Sequence, residues 1–279
     1  MKKITLIFIA ILCSTLAVAQ KKEKVKGSKI VTVEKIEIGA FDQLEVEDNL
    51  EVFLVKGDKN SIEIETDDNL HVAINHQVYG TSLRLNTNKE ISGFKKLEIR
   101  VVYTDSLKLI NVKHEAKLNA ISEMQLDNIT VKTYDYSKTY MTVNSANFTL
   151  LANDKSKIEL NLKGKDAFVE MSKNSNIKAL VSLSKLKFDM YQKSEAALEG
   201  DVNEMKLRLD NNSSYVGKNL TSKVLNLTTE GTTNCSVNTN GSLSITAAGK
   251  SEVTIYGEPK IELKKFGDDA TLYKKSKLN

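Results

Sequence analysis

The sequence predicts an all-β protein, a single-stranded right-handed parallel β-helix (β-solenoid) with about 19 residues per rung and an N-terminal cap of β-strands. Apolar and polar residues alternate in short runs, which is the pattern of half-buried strands. No long stretch shows a convincing helical period. Serines recur at intervals of 19 residues, four times in succession. These serines are Ser137, Ser156, Ser175, Ser194 and Ser213.

Residues 1–19 have the composition of a secretory signal peptide. Met1-Lys2-Lys3 supplies positive charge, an apolar run extends from Ile4 to Leu12, and Ala17-Val18-Ala19 provides the small residues of a cleavage site. The apolar run is too short to cross a membrane as a helix, which takes about 20 apolar residues. The sequence therefore predicts cleavage after Ala19 and export to the periplasm, the outer-membrane surface or the exterior, without a membrane-spanning segment.

Residues 20–38 are predicted to be a lysine-rich tether followed by the first strand. The segment from Gln20 to Lys29 carries five lysines and few apolar residues, which is typical of a solvated connection. A polyanion-binding arm is the less favoured alternative. Strand-like alternation begins at Ile30.

Residues 39–275 are predicted to form the folded domain, of which residues 39–106 are a strand-rich N-terminal part. Glycine, aspartate and asparagine separate its apolar runs and supply turn chemistry. The only helix candidate is a short turn within residues 68–77. We expect this part to cover one end of the solenoid, because uncovered sheet edges invite pairing with other chains. The alternating pairs are Leu44 and Val46, Val52 and Leu54, Ile62 and Ile64, Leu83 and Leu85, and Leu97 and Ile99.

Residues 107–264 are predicted to be the regular repeats. Positions eight, six and four residues before each serine carry no charge, and apolar residues also follow it at plus two, four and six. A unit of this size cannot close its own core, but stacked units bury their inward rows against each other. We expect the serines to form a ladder at one corner, where their hydroxyls satisfy backbone groups. Two further units follow, and a slip in spacing at residues 211–214 predicts a bulge or a wider turn there.

An antiparallel sandwich or barrel is the competing fold, since it also has short strands and regular turns. Four equal intervals disfavour it, because hairpin loops vary independently in length. At the C-terminal end, Pro259 is the only proline of the chain, and it is followed by Lys264-Lys265. These residues are expected to protect the last sheet edge, since proline lacks a ladder donor.

Several segments resemble the head GIN domain family. They are Ala40-Phe41-Asp42-Gln43-Leu44-Glu45-Val46, Val52-Phe53-Leu54-Val55-Lys56-Gly57-Asp58, residues 62–70, and the serine-centred repeats ending in Tyr256-Gly257-Glu258-Pro259-Lys260-Ile261. The similarity covers roughly residues 39–275. It implies a secreted or surface-exposed β-helical protein of Gram-negative bacteria, of a family described as autotransporter adhesins and without established enzymatic activity.

Candidate metal ligands are few. Asp135 and Asp154 lie one rung apart at the same predicted corner, about 5 Å from each other, which is close enough to share a calcium ion. The equivalent positions of later rungs are Lys173, Gln192 and Asn211, so the acidic ladder does not continue. The sequence therefore predicts no metal ligand, cofactor-binding residue or cofactor.

No catalytic residue is predicted either. His71, His76 and His114 are expected to be surface residues, because their spacing fits no metal or catalytic arrangement. Cys235 is expected to be a buried thiol. Asp67 and Asp68 should point to opposite faces of an extended chain, so they form no catalytic pair.

The function predicted is that of a non-enzymatic exported β-solenoid, an adhesin-like binding or scaffolding protein at the bacterial cell envelope. A net charge of +4 gives no sign of a nucleic-acid partner, and the expected ligand is a glycan or a protein of the envelope or surface. A polysaccharide lyase or hydrolase with a lateral groove is the alternative, and a structural envelope component is the second. The oligomeric state is left open.

Overall fold

The computed structural model describes residues 22–120 and 122–275. The predicted signal peptide lies outside the described residues, and export stays a prediction. These residues form 21 β-strands and one 3₁₀ helix, Asp68–Ala73. The strands are β1 Lys24–Lys26, β2 Val31–Glu37, β3 Gln43–Val46, β4 Glu51–Lys56, β5 Ser61–Asp67, β6 Ile74–Tyr79, β7 Ser82–Thr87, β8 Glu90–Ser92, β9 Leu97–Tyr103, β10 Leu109–Val112, β11 Lys117–Ala120, β12 Met124–Thr133, β13 Lys138–Ala152, β14 Lys157–Met171, β15 Asn176–Met190, β16 Glu195–Leu209, β17 Ser214–Thr229, β18 Thr232–Ala247, β19 Lys250–Tyr256, β20 Lys260–Phe266 and β21 Thr271–Lys274.

Strands β12 to β18 form the regular body of a parallel β-solenoid. Neighbouring strands pair in register, so that Lys138 lies beside Lys157 and Lys157 lies beside Asn176. The solenoid has about nine turns, with rungs about 19 residues apart. The predicted β-solenoid is therefore confirmed, and the parallel pairing excludes an antiparallel sandwich for this region.

Each long strand bends once and contributes to two flat faces. In β13 the alternation of buried and exposed residues changes phase at Ala146 and Asn147, which are both exposed. The inner rows of the two faces pack against each other and form the core. Leu160 and Leu207, which belong to the predicted inward rows, are 5% and 1% exposed.

The recurring serines lie inside the solenoid, which corrects their expected role at the corner. All five are at most 1% exposed. The hydroxyls of Ser137, Ser175 and Ser194 have no hydrogen-bond partner among the described residues. The Asp210 N–H donates to the Ser213 hydroxyl over 3.1 Å. Each serine is separated from the apolar positions by an even number of residues, so its side chain points to the same inward face.

The spacing slip lies in β17 rather than at the predicted corner. Glu195 still pairs with Ser214, but two residues of β17, Gly217 and Lys218, then oppose a single residue of β16 between Ala197 and Glu199. Gly217 lies in this bulge, and a side chain there would collide with the Tyr215 ring at 2.4 Å. A glycine therefore accommodates the extra residue where the core leaves no room for a Cβ atom.

Chain order and spatial order differ in the N-terminal part. Strand β3 pairs in parallel with both β7 and β10, and β4 pairs in parallel with both β9 and β11. The rung formed by β3 and β4 therefore lies between the rung of β7 and β9 and the rung of β10 and β11. The parallel stack thus includes strands from the part that was expected only to cover its end.

Antiparallel strands and the 3₁₀ helix cover the N-terminal end. Strand β5 pairs antiparallel with β9 and with β2, and β6 pairs antiparallel with β7. The helix Asp68–Ala73 buries Leu70 and Ala73. The helical turn predicted within residues 68–77 is this helix, and Ile74 already begins β6.

Asp67 joins the lysine-rich segment to this cap. Its carboxylate accepts hydrogen bonds from the backbone N–H groups of Lys29 (2.8 Å) and Lys95 (3.0 Å), and from Lys96 (3.2 Å). The segment expected to be a solvated tether is therefore docked from β1 onward, where β1 pairs in parallel with β8. Although burial opposes ionisation, these three donors hold the pKa of Asp67 below its ordinary value.

We predict that Leu207→Ala lowers the free energy of unfolding by about 2–5 kcal/mol, because it leaves a cavity in the inner row. The matched control is Leu180→Ala in the neighbouring rung, where the side chain is 52% exposed. We expect the control to change stability by less than about 0.5 kcal/mol. Denaturant unfolding of both variants measures the difference, and equal losses would contradict the assignment of the inner row.

We also predict that acid weakens the cap through Asp67. A carboxyl group whose pKa is lowered by folding stabilises the fold above its unfolded pKa of about 3.9, and this contribution is lost as the pH falls through the folded pKa. Asp67→Asn should lower the melting temperature at neutral pH and flatten its dependence on pH in the acid range. Asp127→Asn, an exposed site, is the control, and identical pH profiles for wild type and Asp67→Asn would contradict the role of Asp67.

Candidate functional site

A row of corners with left-handed backbone runs along one side of the solenoid. Consecutive non-glycine residues adopt positive φ at four successive corners, with values between 51° and 66°. This conformation costs roughly 1–2 kcal/mol for a residue other than glycine. The pairs are Asp154 and Lys155, Lys173 and Asn174, Gln192 and Lys193, and Asn211 and Asn212.

Backbone hydrogen bonds between rungs hold these corners in place. The N–H of Lys155 donates to the carbonyl of Lys173 over 2.9 Å, and the N–H of Asn174 donates to the carbonyl of Gln192 over 3.0 Å. The Lys193 N–H repeats the bond to the next rung. Each corner is therefore fixed by the one beside it. Seven of these eight residues are exposed to solvent, and Asp154 is partly buried.

The corner residues line an open depression of about 680 Å³, which we call the corner groove. Its walls carry amide, ammonium and carboxylate groups together with one tyrosine. They are Asp135, Tyr136, Asp154, Lys155, Lys173, Asn174, Gln192, Lys193, Asn211 and Asn212.

Contacts between adjacent rungs position the charged groups of the corner groove. The ammonium group of Lys155 donates to the Tyr136 hydroxyl over 2.9 Å and lies 4.9 Å from the centre of its ring. This hydrogen bond raises the pKa of Lys155. Lys173 forms an ion pair of 3.3 Å with Asp154. The Tyr136 side chain, which is 57% exposed, is thus a platform at one end of the groove.

A second depression, the face hollow, lies on the flat face beside the corner groove. It has a volume of about 670 Å³ and is lined in part by Tyr140, Leu180 and Ala197. Tyr140 is 39% exposed. A further depression, which contains Tyr140 as well as the groove residues Asn174 and Lys193, joins the two. The corner and the face therefore form one continuous surface.

The two aspartates considered as a calcium pair both line the corner groove, but each already has a partner. Asp135 accepts a hydrogen bond from the backbone N–H of His114 over 3.0 Å. Asp154 is paired with Lys173. Within residues 22–120 and 122–275, no three His, Cys, Asp or Glu side chains are grouped so that they could hold a metal ion.

Two histidines differ from the prediction that they are surface residues. The side chain of His71 is only 15% exposed, with Thr32 at 2.9 Å and Glu34 at 3.2 Å, because the 3₁₀ helix turns it toward β2. His76 is half-buried in β6. His114 is exposed as expected, and its Nδ1 atom accepts a hydrogen bond from the backbone N–H of Asp48 over 3.3 Å.

The other candidates lie apart from the corner groove. Cys235 is buried as predicted, and burial raises the pKa of its thiol well above the usual range. Asp67 is buried while Asp68 is exposed, so the two carboxylates do point to different sides of the chain. The reasoning from sequence missed the corner groove as a site because lysine and glutamine do not indicate left-handed backbone. The short polar segment that precedes each recurring serine was the only sign of the corner groove in the sequence.

Comparison with solved structures finds the same fold in other bacterial proteins. A putative adhesin from Parabacteroides merdae ATCC 43184 superposes with a TM-score of 0.66 at 17% identity, covering 90% of this chain and 99% of that chain. A putative lipid binding protein from Parabacteroides distasonis ATCC 8503 gives 0.62 at 15% identity, covering 90% and 99%. A putative adhesin from the same strain gives 0.60 at 17% identity, covering 91% and 98%.

No curated protein matches the chain. In the part of the chain that the structure describes, no helix has the length and apolar character needed to cross a membrane. The family model "Putative auto-transporter adhesin, head GIN domain" matches residues 40–179 and 159–259. These matches extend over most of the β-solenoid, so the chain belongs to the head GIN domain family.

Proposed function

We propose that the protein is a non-enzymatic, adhesin-like binding protein of the bacterial cell envelope, and that the corner groove and the face hollow bind a glycan. The observation that carries this proposal is the row of fixed left-handed corners, which presents a different polar side chain at each rung. Backbone in sparsely populated conformations is often found at binding sites, where the surrounding structure maintains it. Membership of an adhesin family agrees with a binding role.

The chemistry of the combined surface suits a carbohydrate. The amide groups of Asn174, Gln192 and Asn211 both donate and accept hydrogen bonds, as sugar hydroxyls require of a partner. Tyr136 and Tyr140 add aromatic rings with a polar tip. Since equivalent corners repeat at about 4.8 Å along the stack, the surface favours an extended polymer over a compact ligand.

Three hydrogen-bonded carboxyl groups of the chain are unsuited to acid catalysis. A glycosidase needs a carboxylic acid whose pKa is raised, so that it can donate a proton at neutral pH. The pKa values of Glu45, Asp48 and Asp67 are lowered instead. Burial opposes their ionisation, but hydrogen bonds from lysine ammonium groups at Glu45 and Asp48, and from backbone N–H groups at Asp48 and Asp67, outweigh this effect. None of the three lines the corner groove. The lowered pKa values support structural roles for these three carboxylates, as acceptors of hydrogen bonds and members of ion pairs.

We predict that the chain without residues 1–19 binds members of an immobilised panel of neutral and acidic polysaccharides. Tyr136→Ala and Tyr140→Ala should each raise the Kd roughly tenfold or more, because they remove the aromatic platforms. Tyr79→Ala is the matched control, since Tyr79 is an exposed tyrosine of the N-terminal cap with 59% exposure. Biolayer interferometry measures the affinities.

Three results would contradict this proposal. Release of reducing or unsaturated sugars from any bound polysaccharide would establish an enzyme with a lateral groove. An absence of binding across the panel, together with altered envelope integrity in a deletion strain, would establish a structural envelope component. Equal loss of affinity in all three tyrosine variants would place the binding surface elsewhere.

A further inference from the structure

Four backbone N–H groups along the corner groove have no hydrogen-bond acceptor among the described residues. They belong to the first residue of each left-handed pair, whereas at three of the four corners the second residue donates its N–H to the next rung, as Lys155 does. Equivalent positions of neighbouring rungs are about 4.8 Å apart, so the four groups form a row. We call them the corner N–H groups, and they are those of Asp154, Lys173, Gln192 and Asn211.

The corners at both ends of this row show which acceptor suits such an N–H group. The equivalent N–H of His114 donates to the Oδ2 atom of Asp135 over 3.0 Å, and that of Gly249 donates to the Oδ2 atom of Asp268 over 2.9 Å. Each aspartate stands at the equivalent position of the next rung, which we call the capping position. A carboxylate oxygen is therefore the acceptor that the chain itself provides there.

No carboxylate occupies the capping positions of the four corner N–H groups. A Cβ atom on Gly231 would lie 3.4 Å from the nitrogen of Asn211, so the capping position lies directly against the N–H of the preceding rung. None of the residues at these positions accepts a hydrogen bond from that N–H among the described residues. They are Lys173, Gln192, Asn211 and Gly231. An oxygen from outside the chain can therefore take the place that aspartate takes at the two ends.

The charged side chains around the corner N–H groups favour an anion. The ammonium groups of Lys155, Lys173 and Lys193 line the same groove. Its two carboxylates are already engaged, since Asp135 accepts a backbone hydrogen bond and Asp154 forms an ion pair. Backbone N–H groups of turns form concave sites for anions, and a hydrogen bond to an ionised acceptor is stronger than one to a neutral acceptor.

We propose that the glycan of the corner groove is an acidic polysaccharide whose carboxylate groups accept hydrogen bonds from the corner N–H groups. This inference rests on the proposed glycan binding and names the class of glycan. A polymer that repeats its carboxylate presents several of them to the row at once, and linked contacts of this kind add to the affinity. The lysine ammonium groups attract the negatively charged polymer to the groove.

Polysaccharides that differ only in their carboxyl groups test the class of glycan. Polygalacturonate, alginate and hyaluronan are each compared with the carboxyl-reduced form, which carries a neutral hydroxymethyl group instead, on the chain without residues 1–19. Biolayer interferometry should give a Kd roughly tenfold or more lower for the acidic form, because the reduced form loses hydrogen bonds to a charged acceptor.

The outcomes separate this inference from the proposed function. Equal affinity for the two forms, or binding confined to neutral polysaccharides, would overturn the inference and leave glycan binding intact. An absence of binding to every polysaccharide, neutral or acidic, would overturn both.

Gly231→Asp tests the corner N–H groups themselves. The new carboxylate takes the capping position over Asn211, as Asp135 does over His114, and should raise the Kd for the acidic polysaccharide roughly tenfold or more. The backbone suits this change, since Gly231 has a φ of 73° and aspartate already adopts positive φ at equivalent corners. Thr232→Asp adds the same charge at the next, exposed residue, and should change the Kd by less than about threefold.

Thermal unfolding verifies that both variants are folded, and NMR detects the hydrogen bond directly. Saturation of the wild type with an oligosaccharide of the acidic polymer that binds most tightly should shift the Asn211 amide proton downfield. In Gly231→Asp this proton should be shifted without ligand. An Asn211 amide proton that does not respond to the bound oligosaccharide would overturn the inference, as would an equal loss of affinity in Gly231→Asp and Thr232→Asp.

Discussion

The stacking of equal rungs in register is the constraint on which the other features depend. A single rung cannot bury its own apolar side chains. They are covered by the neighbouring rungs and by the facing half of the same turn. Parallel pairing between strands such as β14 and β15 requires that both rungs have the same length from corner to corner. An extra residue must therefore be absorbed without moving the corners. The bulge at Gly217 does this, because the corner at Ser214 keeps its pairing with Glu195.

The same constraint separates the structural residues of each corner from the variable ones. The serine points inward, where adjoining rungs allow only a small side chain. The preceding two residues have left-handed backbone held by bonds such as that from Lys155 to Lys173, and their side chains point to solvent. Because the backbone conformation comes from the stack, these positions accept aspartate, lysine, glutamine or asparagine despite a cost of roughly 1–2 kcal/mol each. The corner can therefore change its chemistry from rung to rung without changing its shape.

Much of the fold could be predicted from the sequence, because alternation and a fixed interval are local properties that stacking preserves. The inward rows, including Leu160 and Leu207, follow from these properties. The inward direction of the serines also follows from their even spacing from the apolar positions, although their hydroxyls were expected to satisfy backbone groups at the corner. The order of the N-terminal rungs could not be predicted, since alternation in β3, β4, β7 and β9 does not say which strands pair. The corner groove was hidden for a related reason, as lysine and glutamine carry no local preference for positive φ.

The ends of the solenoid show what the repeat leaves unsatisfied. At the N-terminal end the chain changes from parallel to antiparallel pairing, and the buried Leu70 and Ala73 complete the core. At the C-terminal end the parallel stack has no such cover among the described residues, and Ile261 and Leu263 of β20 stay 40% and 51% exposed.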